Sequence, residues 1–274
     1  MRKLPAVDSS RTTVLQSRTT ETREPKGTNK TIRIGTSGWH YGHWVGPFYP
    51  PGTSQRDFLT YYTGHFHTVE INNSFYRLPE KKTFELWHDT VSSGFIFTVK
   101  ASRFITHMKK LKDPETALAT FMERISGLGK KLGPILFQLP PHWRLNLERL
   151  DAFLSALPRD YRYAFEFRDP TWFHPKVYQA LAEHGAAFCL YELAGLRSPR
   201  ELTADFTYLR LHGPGDAYSG CYPTETLNQW ADVFCDWAKE GKEVYCYFDN
   251  DELGYAARNA SELKKLVTQK AESK

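Results

Sequence analysis

Eight short apolar runs, each separated from the next by a segment of helical periodicity or by a loop, constrain this chain more than any other feature. The runs span residues 32–37, 67–72, 95–101, 134–139, 163–168, 186–191, 207–212 and 244–249. Helical spacing intervenes between many of them. Leu118, Phe121, Met122, Ile125 and Leu128 share one helix face, as do Leu227, Trp230, Ala231, Phe234, Trp237 and Ala238. Ala256, Ala260, Leu263 and Val267 continue the pattern after the last run, and weaker helices fit 57–64, 81–91, 147–156 and 175–183. The poorest helical segment is 193–202, which contains Gly195 and Pro199. Strands alternating with helices imply parallel pairing through right-handed crossovers, and eight such units favour closure. The expected fold class is therefore α/β, a single (β/α)8 TIM-like barrel covering residues 31–270 of the 274. An open doubly wound sheet is the competing arrangement, but no G-x-G-x-x-G follows the first run, where Trp39 succeeds Gly35-Thr36-Ser37-Gly38.

Alternation along each run then decides which side chains enter the barrel. Residues two apart share a face, so one set meets the helices and the other meets the lumen. In the seventh run Leu209 and Leu211 form the apolar set, which sends Tyr208, Arg210 and His212 inward. The same parity groups Gly35 with Ser37, Thr68 with Glu70 and Asn72, and Thr98 with Lys100. It also groups Leu136 with Gln138, Ala164 with Glu166 and Arg168, and Tyr245 with Tyr247 and Asp249. Only the sixth run ends without a clear polar residue. Polar groups thus collect at the C-terminal mouth, where this architecture carries its functional sites. Burying these charges unpaired would cost several kcal/mol each. They must pair with one another as a plug, or with a ligand.

Charge and cysteine usage narrow the function classes. The net charge is +5, but residues 1–30 hold seven Lys/Arg against three acidic residues, which leaves +1 for the rest. That near-neutral body gives weak electrostatic support for nucleic-acid binding. The first thirty residues are rich in Ser, Thr and basic residues, nearly without large apolar ones, and are expected to be disordered. Cys189, Cys221, Cys235 and Cys246 form no C-x-x-C pair, and no apolar stretch reaches the roughly 20 residues that span a bilayer. A reduced, cytoplasmic setting without a membrane partner is expected.

The motifs in order resemble the YecE-like family, known as domain of unknown function 72. The resemblance is carried by Gly35-Thr36-Ser37-Gly38-Trp39 with Tyr41, Trp44 and Phe48-Tyr49-Pro50, and by Glu70-Ile71-Asn72-Asn73-Ser74-Phe75-Tyr76-Arg77. It continues through Val99-Lys100-Ala101 with Thr106-His107, Phe137-Gln138-Leu139-Pro140-Pro141, and Glu166-Phe167-Arg168 with Trp172. Tyr208-Leu209-Arg210-Leu211-His212-Gly213 and Tyr247-Phe248-Asp249-Asn250-Asp251 complete it, over residues 31–267. Such a resemblance implies a TIM-like barrel and no established activity. An acidic residue is looked for after the sixth run, where Glu192 is a loose fit. At fold level, barrels of this kind are similar to endonuclease IV and xylose-isomerase-like enzymes, which does not establish chemistry.

Three functional classes follow. The first is an enzyme, a hydrolase or an isomerase/lyase, acting on a phosphorylated or polyhydroxylated, sugar- or nucleotide-like ligand. Glu70, Glu166, Asp249, Lys100 and His212 are its candidate catalytic residues, with the carboxylates as general acid and base. Ser37, Trp39, Asn72, Asn73, Tyr76, Gln138, Arg168, Trp172, Arg210 and Asn250 are candidate substrate contacts, the cations suiting anionic groups and the aromatics suiting a ring. The second class is a nucleic-acid-binding protein, read from aromatic loops and the basic cluster Arg103, Lys109, Lys110 and Lys112, although the lysines also suit a solvated helix start. The third is a non-catalytic binding protein. A metal held by Glu70, Glu166, His212 and Asp249 is disfavoured by the cations beside them, so no metal and no cofactor is expected. Oligomeric state is left open.

Overall fold

The structure, a computed structural model, describes residues 31–272, so the N-terminal segment 1–30 lies outside the described residues. Eight parallel strands form the wall: β1 (Ile32–Thr36), β2 (Thr68–Ile71), β3 (Ile96–Lys100), β4 (Leu132–Gln138), β5 (Tyr163–Glu166), β6 (Ala187–Leu193), β8 (Phe206–Leu211) and β9 (Glu243–Phe248). A short antiparallel strand, β7 (Leu196–Arg197), pairs with β6 outside this path. The wall runs in the order β1-β9-β8-β6-β5-β4-β3-β2. The chain order of its eight strands is kept around the wall, which gives the right-handed βα circuit its closure. Each predicted strand is found within two residues of its expected position.

Packed outside are α1 (Phe58–Thr63), α2 (Asn73–Tyr76), α3 (Lys81–Thr90), α4 (Glu115–Ile125), α5 (Leu147–Ala156), α6 (Pro175–Glu183), α7 (Thr224–Lys239) and α8 (Tyr255–Glu272). The apolar stripes read from the sequence face the wall: Leu227, Trp230, Ala231, Phe234 and Trp237 of α7 are all buried, as are Ala256, Ala260, Leu263 and Val267 of α8. Helix starts follow local chemistry. The Asn146 side chain accepts from Arg149 N at 2.9 Å to cap α5. Pro175 opens α6, where its missing N–H costs no hydrogen bond.

Alternation divides the apolar residues into two layers. The outer layer joins strand residues such as Val69, Ile71, Val99, Phe137, Phe165 and Leu209 to the helices. The inner layer fills the lumen with Leu136, Ala164, Ala187, Cys189, Phe206, Tyr208, Tyr245 and Tyr247. Two lumenal tyrosine hydroxyls find partners across the barrel, Tyr247 with Thr68 Oγ1 at 2.7 Å and Tyr208 with Thr98 Oγ1 at 2.9 Å. The lower barrel is therefore a packed core and the polar groups are left to the mouth.

Closure between β1 and β2 is the thinnest seam. A parallel bridge pairs Ser37 with Glu70, and Gly38 N donates to Glu70 O at 2.8 Å. Below it the Tyr62 hydroxyl accepts from Thr36 N at 3.0 Å and donates to Thr68 O at 3.1 Å, standing in for missing ladder bonds. Gly35 lets the two strands approach, because a Cβ there would lie 2.3 Å from Thr68 O. Gly35→Ala is expected to cost about 1–3 kcal/mol or more, since backbone rather than a flexible side chain must move. Thermal melting measures this, and a wild-type midpoint would contradict the seam's role.

Two expectations need correction. Residues 193–202 form no helix. Ala194 (φ 49°) and Gly195 (φ 76°) instead turn the chain into a hairpin that pairs Leu193 with Leu196. Helical dihedrals cannot pass through two successive left-handed residues. Lys109–Lys112 likewise do not open a helix. They follow a π-helical turn, Phe104–Met108, and Lys110, Leu111 and Asp113 all take positive φ before α4 starts at Glu115. Among the described residues no helix is long and apolar enough to cross a membrane.

Candidate functional site

Arg210, the penultimate residue of β8, lies at the centre of the mouth and is wholly buried. Its guanidinium spends its donors on three carboxylates. Nη2 donates to Glu70 Oε1 at 2.8 Å and to Asp249 Oδ2 at 2.9 Å, and Nη1 donates to Glu166 Oε2 at 3.0 Å. Nε donates to Glu70 Oε2 at 3.0 Å, which makes the Glu70 contact bidentate. The planar fork explains why arginine and not lysine stands here.

The carboxylates are satisfied further. Ser37 Oγ donates to Glu70 Oε1 at 2.5 Å, and the Tyr208 hydroxyl donates to Glu70 Oε2 at 2.7 Å. Arg168 Nε donates to Glu166 Oε1, and the Arg168 guanidinium packs 4.9 Å from the Tyr191 ring centroid. His212 Nε2 receives Arg168 Nη2 at 3.0 Å and Arg210 Nη1 at 3.3 Å. A guanidinium can only donate, so Nε2 accepts and the ring proton sits on Nδ1. That atom lies 3.0 Å from Asp249 Oδ2, although the ring's orientation keeps the contact out of hydrogen-bond alignment.

Electrostatics follow from this geometry. Burial alone would push the Glu166 carboxyl up, but Arg168 and Arg210 hold it well below the usual carboxylate range. Burial also opposes ionisation of Asp249, and Arg210, His212 and Lys100 overcome it. Both groups are therefore anions at neutral pH. The separated pair of environments needed for a carboxylic acid beside a carboxylate base is not built from these two. Burial and the nearby Glu166 push the Cys189 thiol up, so it is an inert core thiol.

Lys100 differs from the other cations. It ends β3, is 6% exposed, and its ammonium lies 4.3 Å over the Phe75 ring. No carboxylate among the described residues approaches its Nζ within 4.0 Å. Desolvation, reinforced by Arg210, lowers its pKa to about 8 against the pull of Asp249, Glu70 and Glu166. Beside it, burial together with Lys100, Arg103 and Arg168 pushes His107 down to about 4. This side of the mouth is thus electropositive, while on the Arg210 side three carboxylates face the two guanidiniums of Arg210 and Arg168.

The remaining candidates fall into three places. Trp39, Asn72, Asn73 and Tyr76 line a cleft of about 830 Å³ beside the mouth, together with Tyr41 and Trp87. Asn72 Oδ1 is buried there without a hydrogen-bond partner among the described residues, and Tyr76 is 69% exposed. Gln138 stands next to Glu166 across the β4–β5 register, its Nε2 donating to Leu139 O at 3.1 Å. Trp172 and Asn250 are buried, and Asn250 Oδ1 has no hydrogen-bond partner among the described residues. Trp172 stacks on Phe167 and donates to Trp143 O at 2.5 Å, and Asn250 bridges Gly220 O and Asn259 Oδ1 at 2.7 and 3.0 Å. Glu192 points outward, paired with Arg197 at 3.2 Å, and Tyr191 and Cys189 take the inward places on β6.

Three tyrosines outside the candidate catalytic and substrate residues also border the site. Tyr208 shares the parity of Arg210 and was legible on that ground. Tyr41 donates to Ser37 O at 2.6 Å, lines the cleft, and is raised by burial and by Asp249, Asp251 and Glu70, so it joins cleft to mouth. Tyr218 packs edge-on against His212 with centroids 5.3 Å apart, from a loop whose sequence carries no signal of this. No three His, Cys, Asp or Glu side chains among the described residues are arranged to hold a metal ion.

Comparison with known proteins agrees with this architecture. A protein of Thermotoga maritima described as a DUF72 family protein superposes with a TM-score of 0.80 at 29% identity, over 87% of this chain and 99% of its own. One from Enterococcus faecalis gives 0.75 at 20% identity, over 86% and 95%, which supports the fold. UPF0759 protein YunF of Bacillus subtilis (strain 168) is 27% identical over 270 aligned residues, covering 86% of this chain and 94% of that protein. UPF0759 protein YecE of Escherichia coli (strain K12) is 30% identical over 143 residues, half its length. The family model described as "Protein of unknown function DUF72" matches residues 33–274, and the chain belongs to that family.

Proposed function

We propose that the mouth binds a small anionic, hydroxyl-bearing molecule, phosphorylated or polyhydroxylated and sugar- or nucleotide-like, and acts on it by proton transfer. One observation carries the reading: Lys100 is a nearly buried cation with no anionic partner among the described residues, although three carboxylates lie in the same mouth. A buried charge without a counterion is costly, and a ligand anion is the partner that would relieve it. Arg103, Arg168 and His107 border the same side. The adjacent cleft, with Trp39 and Tyr76, is of ligand size and suits a sugar or base ring. Asp249, held ionised and slightly exposed, supplies the base. The reaction class is that of a hydrolase or an isomerase/lyase.

Competitive acetylation tests this. Lys100 acetylation by acetic anhydride, quantified by peptide mass spectrometry, is expected to fall several-fold with millimolar ribose 5-phosphate or inorganic phosphate. Exposed Lys109 and Lys110 should be unaffected. If no phosphate, sugar phosphate or nucleotide protects Lys100, the reading is wrong. Protection by a single-stranded oligonucleotide alone would replace it with the nucleic-acid reading.

A further inference from the structure

We propose that Lys100 is an imine-forming lysine whose ε-amine condenses with the carbonyl carbon of an aldehyde or ketone substrate. The inference rests on the reading that the mouth binds a hydroxyl-bearing anion, and it assigns that ligand a carbonyl group.

Comparison with two other lysines whose side chains are buried or half-buried singles this one out. Lys131 is also nearly buried, but its Nζ donates to His88 O at 2.5 Å and to Val91 O at 2.6 Å. Lys264 Nζ donates to His65 O at 2.8 Å. Both are anchored by backbone carbonyls. Lys100 Nζ has no hydrogen-bond acceptor among the described residues and rests on the apolar face of Phe75. Its backbone, in contrast, is fixed, since Lys100 O accepts from Ser74 Oγ at 2.7 Å and Ala101 N donates to Leu136 O at 2.8 Å. A rigid root with an unengaged amine at a strand's C-terminal end is the arrangement a nucleophile needs.

Its surroundings raise the share of neutral amine above that of an exposed lysine. Desolvation and the neighbouring Arg210 bring it to about 8, so roughly a tenth is unprotonated at pH 7. The step balances without an oxidant or reductant. The Nζ lone pair forms a C–N bond to the carbonyl carbon, and the carbonyl π pair moves to oxygen. Proton transfer from nitrogen to oxygen gives the carbinolamine. The nitrogen lone pair then forms C=N as the protonated hydroxyl leaves as water. Solvent water at the mouth accepts and returns the proton, and the charge of Asp249 favours the protonated intermediates. The protonated imine draws electrons from the adjacent carbon, so the chemistry served is isomerisation by proton removal or reversible C–C bond cleavage. Water releases the product and restores the amine.

Reductive trapping decides the matter. The full-length protein is incubated separately with dihydroxyacetone phosphate, glyceraldehyde 3-phosphate and pyruvate in the presence of sodium cyanoborohydride, then peptide-mapped. At least one probe is expected to leave a reduced adduct on Lys100 about tenfold above that on Lys109 or Lys110. From pH 7 to pH 8 its initial rate should rise about fivefold and then flatten, whereas exposed lysines gain about tenfold per pH unit. Localisation on the wild-type peptide is the deciding readout and does not depend on a variant's folding. Lys100→Met, checked by circular dichroism, should lose the adduct. If Lys100 carries no more adduct than the exposed lysines with any probe, the imine is excluded. Should phosphate nevertheless protect Lys100 from acetylation, the binding site stands and only the imine falls; if neither occurs, both fall.

Discussion

Arg210→Met is expected to lose most of the stability of the fold at neutral pH. The substitution keeps most of the side-chain volume and removes the charge that holds Glu70, Glu166 and Asp249 together. Removing one partner of a buried ion pair costs about 3–5 kcal/mol, and here three anions lose the same partner. A domain with the usual 5–15 kcal/mol of total stability has little left after such a loss. The pH dependence should also change sign. In the wild type, Glu166 and Asp249 titrate below their ordinary values, so their contribution is present above about pH 4–5 and is lost as pH falls through the folded values. Without Arg210 the buried carboxyls are pushed up and bind protons on folding. The variant should then be more stable near pH 5 than at pH 7. Urea unfolding at both pH values measures this. A variant within about 1 kcal/mol of wild type, with the wild-type slope, would mean the network is not what holds the mouth.

Lys100→Met is expected to do the opposite to stability while abolishing binding of the anion. The lysine's pKa is about 8 in the folded protein against 10.5 unperturbed, so below pH 8 the protonated side chain weakens the fold by about 3 kcal/mol. The sign follows from proton counting. Between pH 8 and about 10.5 the unfolded chain binds the proton that the folded chain does not, so wild-type stability rises across that window. Methionine has no such titration and can pack on Phe75. The variant should exceed wild type by about 3 kcal/mol at pH 7, with the advantage vanishing toward pH 10.5. A residue that weakens its own fold is characteristic of a functional site. If Lys100→Met is instead less stable than wild type at pH 7, the lysine belongs to the ion network.

These outcomes divide the mouth into two parts with different work. The Arg210 cluster sets three carboxylates against the guanidiniums of Arg210 and Arg168, which braces the mouth and orients His212. Lys100 and the electropositive edge beside it are left for chemistry. Charged residues of similar appearance in the sequence thus have different roles, and burial does not separate them, since Lys100 and Asp249 are equally exposed at 6%. What separates them is whether a partner lies within reach.

Much of this protein was legible from one dimension. The alternation Tyr208-Leu209-Arg210-Leu211-His212 determines which side chains enter the lumen, because a strand's side-chain direction depends only on its own backbone with a period of two. Applied to each run, it places Glu70, Lys100, Glu166, Arg210, His212 and Asp249 together at one end. Helical spacing likewise marked α7 and α8, since a helix buries its stripe through local periodicity. Where positive φ values decided the path, at Ala194 and at Lys110-Leu111, periodicity carried no information. Which charge pairs with which was decided by the tertiary structure alone. Arg210 reaches Glu70 across 140 residues of chain and Glu166 across 44. Those contacts exist only once the seam at Gly35 closes and the strands take their register. The same closure turns Glu192 and Trp172 away from the mouth, brings Tyr218 over His212, and leaves Lys100 without a partner. Partner choice depends on distances between strands far apart in sequence, and a local pattern cannot encode them.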